Sequence, residues 1–102
     1  MILAQALSNA QAVMATATRD RGLGCCRVYV CLMGLDQKTR KEAATFAKAH
    51  GMIFQKKAYY GLTDAIYIGY DNCDGIAHGR GKAFAGYLEA TGLRCYVELC
   101  GD

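Results

Sequence analysis

The sequence predicts an α+β chain: strands and helices in the order β-α-β-β-α-β, behind one additional N-terminal helix. Three observations carry this. Apolar residues alternate with polar ones in four short runs. Segments of helical period, each closed by a glycine, separate the first run from the second and the third from the fourth. Before all of these, apolar positions recur at steps of 4 and 3 with no charged side chain ahead of Arg19.

Each element has its own signal. Over residues 2–18, Leu3, Leu7, Ala10, Met14 and Ala17 form one stripe, widened by Ile2, Ala6 and Val13. Arg19-Asp20-Arg21-Gly22-Leu23-Gly24 ends it. In Arg27–Met33, Val28, Val30 and Leu32 alternate against Arg27, Tyr29 and Cys31, the pattern of a strand. Asp36 is the expected N-cap of a helix running to His50, and Gly51 stands at its C′ position. Met52–Lys57 reads as a short second strand. Thr63–Tyr70 reads as a third, with Ile66, Ile68 and Tyr70 on one face and Ala65, Tyr67 and Gly69 on the other. After the loop Asp71–Gly75, a helix runs to about Thr91 with Phe84, Tyr87 and Leu88 inward. Arg94–Cys100 is the last strand.

This order is that of the ferredoxin-like, split βαβ arrangement. It implies an antiparallel sheet in the order 4-1-3-2 with two helices on one face. Residues 1–102 form one domain, with the N-terminal helix within 1–20 and the core over 25–101. The N-terminal helix must bury its stripe somewhere. Three places are open to it: over the free sheet face, beside the other helices, or against a second copy through Leu3, Leu7, Ala10 and Met14.

Apolar residues make up 53% of the chain, which excludes a disordered or collagen-like polymer. Sixteen are alanine, and twelve glycines accompany them without Trp or Pro. Such a core depends on close backbone approach more than on large side chains. No run of 18 apolar residues exists, and the N-terminus lacks the basic start of a signal peptide. A cytoplasmic protein is expected. Six cysteines without a C-x-x-C pair point to reduced, mostly buried thiols rather than metal ligands.

Charge is divided along the chain. Residues 1–57 carry nine basic and three acidic groups, and residues 58–102 carry three and six. Lys38, Arg40, Lys41, Lys48, Lys56 and Lys57 make a basic ridge, suited to an acidic protein groove or a phosphate backbone, or simply to a solvated face. Asp64, Asp71, Asp74, Glu89 and Glu98 supply five of the six acidic groups of the second part and make an acidic set. His78-Gly79-Arg80-Gly81-Lys82 offers either a phosphate cradle at a helix start or, with Gly86, a close helix-to-sheet approach. No catalytic constellation, metal site or cofactor motif is expected, although Cys25-Cys26 beside Arg27 would favour a thiolate.

With the predicted sheet order, Tyr29, Tyr67 and Tyr96 stand side by side opposite the two helices, flanked by Arg27 and Arg94. Here Val28–Met33 resembles the shorter signature of the RNA-recognition-motif family, with Tyr29 at its stacking position. Asp64–Tyr70 stands at the longer signature, and Tyr67 matches one of its aromatics. Thr63-Asp64 and Ala65 depart from that signature. The resemblance implies single-stranded RNA or DNA binding on the sheet face. In size and element order the chain is also similar to small bacteriophage accessory proteins, including some anti-CRISPR inhibitors. That similarity implies a non-enzymatic module that associates with a host nucleic-acid-directed complex in the cytoplasm of a bacterium, with the acidic set imitating nucleic acid or the basic ridge docking on an acidic groove. A ligand-sensing ferredoxin-like dimer is a third expectation. No membrane partner is expected.

Overall fold

A computed structural model describes residues 3–20, 25–58 and 61–101. The elements are α1 (Leu3–Met14), β1 (Cys25–Leu32), α2 (Gln37–Ala49), β2 (Ile53–Lys57), β3 (Thr63–Asn72), α3 (Ile76–Ala90) and β4 (Cys95–Gly101). The four strands form one antiparallel sheet in the order β2-β3-β1-β4. The fold is thus α+β, with the strand order that the sequence implies.

Local chemistry sets the helix ends. Asp36 accepts hydrogen bonds from the Thr39 backbone N–H at 2.7 Å and from its hydroxyl at 2.6 Å, which caps α2. At the other end the His50 ring stacks on Phe46, with centroids 4.1 Å apart. Asp71 caps α3 from within β3: its carboxylate accepts from the backbone N–H of Gly75 and of His78, both at 2.9 Å.

α1 ends at Met14, earlier than the periodicity implies. Ala15, Thr16 and Ala17 bond back three residues, to Ala12, Val13 and Met14, and the helix closes in a tight turn. Ala17 therefore falls outside it. The chain continues as an extended strap along α3, where the Asp20 N–H donates to the Gly75 carbonyl at 3.0 Å. A Cβ at Gly75 would collide with the Asp20 carbonyl, and one at Gly79 with the Thr18 carbonyl. These two glycines serve the strap rather than the sheet. Gly81 does face the sheet, against Val28, whereas Gly86 faces open space.

The three helices share one side of the sheet. α1 packs against α3 and, less extensively, α2, while α2 and α3 meet little directly. Leu7 and Ala10 are fully buried in a core with Val30, Leu32, Phe46, Ile66, Phe84 and Leu88. Asn9 adds a 2.9 Å hydrogen bond to the Tyr87 hydroxyl. The expected self-association surface is therefore corrected. Leu7 and Ala10 are spent inside the monomer, and Leu3 and Met14 pack at the margin of the same core.

β1 is buried on both faces. Val28, Val30 and Leu32 face the helices. Tyr29 and Cys31 face the other way, into a second cluster with Leu62, Ala65 and Cys100.

Candidate functional site

The candidate site is the sheet face that no described helix covers. Cross-strand partners share a face, so the register defines it. Ile53, Tyr67 and Tyr29 lie in one row with Glu98. Gln55, Ala65, Cys31 and Tyr96 lie in the next, and Tyr70, Arg27 and Cys100 in a third on the other side.

A β-bulge shapes this face. The β1–β3 register shifts between Val28 and Tyr29, so that Val28 pairs with Gly69 but Tyr29 pairs with Tyr67. Ile68 is the extra residue, and beyond it the side-chain alternation reverses. Two results follow. Tyr70 joins Arg27 on the uncovered face, not Ile66 and Ile68 as strict alternation implies. Asp71 turns toward the helices and reaches the α3 N-terminus.

The expected tyrosine platform is present only in part. Tyr29 is 3% exposed, enclosed by Cys31, Leu62, Ala65 and Cys100, with Ala58 and Tyr67 packed against that cluster. Its ring lies 5.4 Å from that of Tyr67 at 56°. Tyr67 is half-buried, and Tyr96 is 40% exposed but stands opposite Cys31, one row from Tyr29. Arg27 is half-buried on the face, whereas Arg94 precedes β4 and its carbonyl accepts from the Met33 N–H. A hydrogen bond with Cys31, then burial, raises the Tyr96 phenol above its ordinary pKa. Sequence reasoning missed Ile53 and Tyr70, which are 53% and 44% exposed on this face. The signal for Ile53 was its own alternation with Phe54. Tyr70 needed the bulge.

The charged sets fare differently. Lys38, Lys41, Lys48, Lys56 and Lys57 are exposed, and Lys41 and Lys56 line a groove of about 640 Å³ with Gln37, Arg40, Ala44 and Phe54. Arg40 lines the same groove, but its charge is paired: its guanidinium holds Asp64 at 2.6 and 3.1 Å, and this pairing raises the Arg40 pKa. The acidic patch does not assemble. Asp64 is buried against Arg40, and Asp71 is buried under α3 at the far end of the same strand, about 23 Å away at strand rise. Asp74 caps the Ile76 N–H, while Glu89 lies on α3 and Glu98 on β4.

The His78–Lys82 segment is structural. Asp71 and Asp74 already occupy backbone donors of the first turn of α3. Asp20 of the strap sits 2.9 Å from Lys82 Nζ and 3.6 Å from His78 Nδ1. Among the described residues, no group of three or more His, Cys, Asp or Glu is placed to hold a metal ion. Cys26, Cys31, Cys95 and Cys100 are buried, but Cys25 and Cys73 are exposed with their Sγ atoms 2.7 Å apart. Burial pushes the Cys95 thiol up to about 11, and burial also raises Cys31 and Cys100, so these groups remain thiols at neutral pH.

No family model, curated protein or solved structure matches the chain. No described helix is long and apolar enough to cross a membrane.

Proposed function

We propose that this chain is a non-enzymatic protein-binding module of the ferredoxin-like class, docking through the uncovered face of its sheet. One observation carries the reading. Ile53, Tyr70 and Tyr96 stay exposed on that face, around the half-buried Tyr67, while the helices occupy the opposite side. Exposed aromatic and aliphatic side chains beside an arginine are the composition of protein-interface centres. Charges on the face are mixed, Arg27 and Lys57 against Glu98, where a nucleic-acid surface would be consistently basic. The partner is thus a protein surface with an apolar centre.

Single-stranded nucleic acid is the second reading. What favours it is that α1 packs among the helices and leaves the face open, with Tyr67 and Tyr96 reachable. The burial of Tyr29 weighs against it, because the β1 stacking position is lost. The narrower form of the first reading is an inhibitor of a host nucleic-acid-directed complex, in the cytoplasm of a bacterium. Of its two auxiliary docking modes, acidic mimicry loses Asp64 and Asp71 to internal contacts. The basic mode keeps Lys38, Lys41, Lys48, Lys56 and Lys57.

Affinity capture from bacterial lysate tests this with three baits: wild type, Ile53→Asp/Tyr96→Asp, and Lys41→Glu/Lys48→Glu. A single protein retained by the lysine variant and lost by the sheet-face variant supports the proposal. Loss with the lysine variant alone moves docking to α2 and overturns it. Nucleic acid in the eluate, released steeply by salt, supports the second reading instead.

A further inference from the structure

Beyond any binding role, the structure carries a paired-thiol site. Cys25 begins β1, on the same face as Arg27 and Tyr29, and its Cα partner across the sheet is Asn72. Cys73 is the next residue, where the chain turns toward α3. Both thiols are exposed, and their Sγ atoms are 2.7 Å apart, well inside ordinary sulfur van der Waals contact. Cys25 Sγ also donates to the Asn72 side-chain carbonyl at 3.7 Å.

The turn holds Cys73 in place from both sides. Asp71 accepts from the Gly75 N–H, and Asp74 accepts from the Ile76 N–H. Cys73 itself has φ +67°, a left-handed conformation that a non-glycine residue adopts only when its surroundings impose it. The other four cysteines are removed from solvent. Cys31 meets the Tyr96 hydroxyl, Cys95 donates to the Ala85 carbonyl, and Cys26 and Cys100 lie in the two clusters flanking β1.

We infer that Cys25 and Cys73 form a reversible intramolecular disulfide by exchange with a small-molecule disulfide, fastening the start of β1 to the β3–α3 turn. The Cys25 thiolate attacks one sulfur of the oxidant RSSR. The S–S bond of RSSR breaks, one thiolate leaves and takes up a proton, and Cys25 carries the mixed disulfide. Cys73 then gives up its proton and attacks the Cys25 sulfur, expelling the second thiolate, which is protonated in turn. Two protein S–H groups and one RSSR become one Cys25–Cys73 bond and two RSH. Two electrons pass from the protein to the oxidant. The hydrogen bond with Cys25, then desolvation, pushes Cys73 up to about 11.

The bond would stiffen the start of α3. The turn it anchors contains Asp71, which caps α3, and Gly75, on which the Asp20 strap rests. Oxidation therefore protects the first turn of α3 from opening.

The test uses the full-length chain incubated with oxidised glutathione, read by intact mass, peptide mapping and thermal melting. The expected product is a monomer lighter by two hydrogens, with a Cys25–Cys73 cross-linked peptide. Its Tm rises on the order of 10 °C, an effect that reductant reverses. Amide exchange at Gly75–Gly79 slows in the same sample. Cys25→Ser and Cys73→Ser, both at exposed positions, each stop at one mixed disulfide with no cross-link and no rise in Tm. A link between other cysteines, a disulfide-bonded dimer, or a glutathione adduct that persists in the wild type overturns the inference.

Discussion

Tyr29 and Tyr96 share one face of the sheet but differ in exposure, and the difference is measurable. Tyr29 is buried among Cys31, Leu62, Ala65 and Cys100, whereas Tyr96 keeps much of its ring in solvent. Tyr29→Ala is expected to cost about 3–5 kcal/mol of stability, while Tyr96→Ala, which removes a partly exposed ring and its hydrogen bond with Cys31, costs about 1 kcal/mol; urea unfolding of both variants checks this. Asp71 gives a second residue-level prediction. Burial by itself would raise its pKa, but hydrogen bonds from the backbone N–H groups of His78, Gly75 and Asp74, with the nearby His78 charge, outweigh burial and lower it. A carboxylate depressed in the folded state stabilises fully above its unfolded value, near 3.8. That contribution disappears as pH falls through the still lower folded value. Between pH 6 and pH 3, approximate bounds for this titration, the wild type should lose more stability than Asp71→Asn, read as the change in urea midpoint. An equal loss in both would show that Asp71 contributes nothing to the acid limb.

Among the elements, α1 separates two explanations of one apolar stripe. A helix that serves self-association and one that serves the core have the same periodicity. Leu7 and Ala10 lie at zero exposure against α3 and the sheet residues beneath, so the stripe serves the monomer. Leu7→Ala is expected to lower stability by about 2–5 kcal/mol at every protein concentration. A destabilisation that vanishes on dilution would return α1 to a dimer interface. The strap after α1 is held by contact with two glycines at the start of α3, Gly75 and Gly79. Gly79→Ala introduces a Cβ against the Thr18 carbonyl. The expected cost is roughly 1–3 kcal/mol, accompanied by faster proteolysis within residues 15–20.

Over the whole molecule, placing three helices on one side of a four-stranded sheet leaves the other side to be finished differently. Its centre, around Tyr29, is closed by small side chains and by Leu62 from the β2–β3 connection. Its periphery keeps Ile53, Tyr70 and Tyr96 exposed. Changing Ile53 and Tyr96 together should lower the melting temperature by no more than about 10 °C, leaving the chain folded during capture, and abolish partner capture. That combination distinguishes a docking surface from a damaged fold. A large fall in Tm for the pair would mean that this periphery belongs to the core.

Local periodicity and capping chemistry are encoded within a few residues. The sequence by itself therefore determined the seven elements, their order, Asp36 as a cap and the glycines that stop α2 and α3. The sheet order also followed, because few topologies connect β-α-β-β-α-β without crossing. Tertiary structure decided what depends on register and on contacts between distant segments. One extra residue at Ile68 sends Tyr70 to the open face and Asp71 to the α3 N-terminus. Arg40 finds Asp64 across 24 positions, and Cys25 meets Cys73 across 48, so spacing within either segment could not reveal them. The abundance of alanine and glycine was visible at once, but which small residues admit another backbone depended on where the strap lies. Gly75 and Gly79 do so, and Gly86 does not, because only the first two lie beneath Thr18–Asp20.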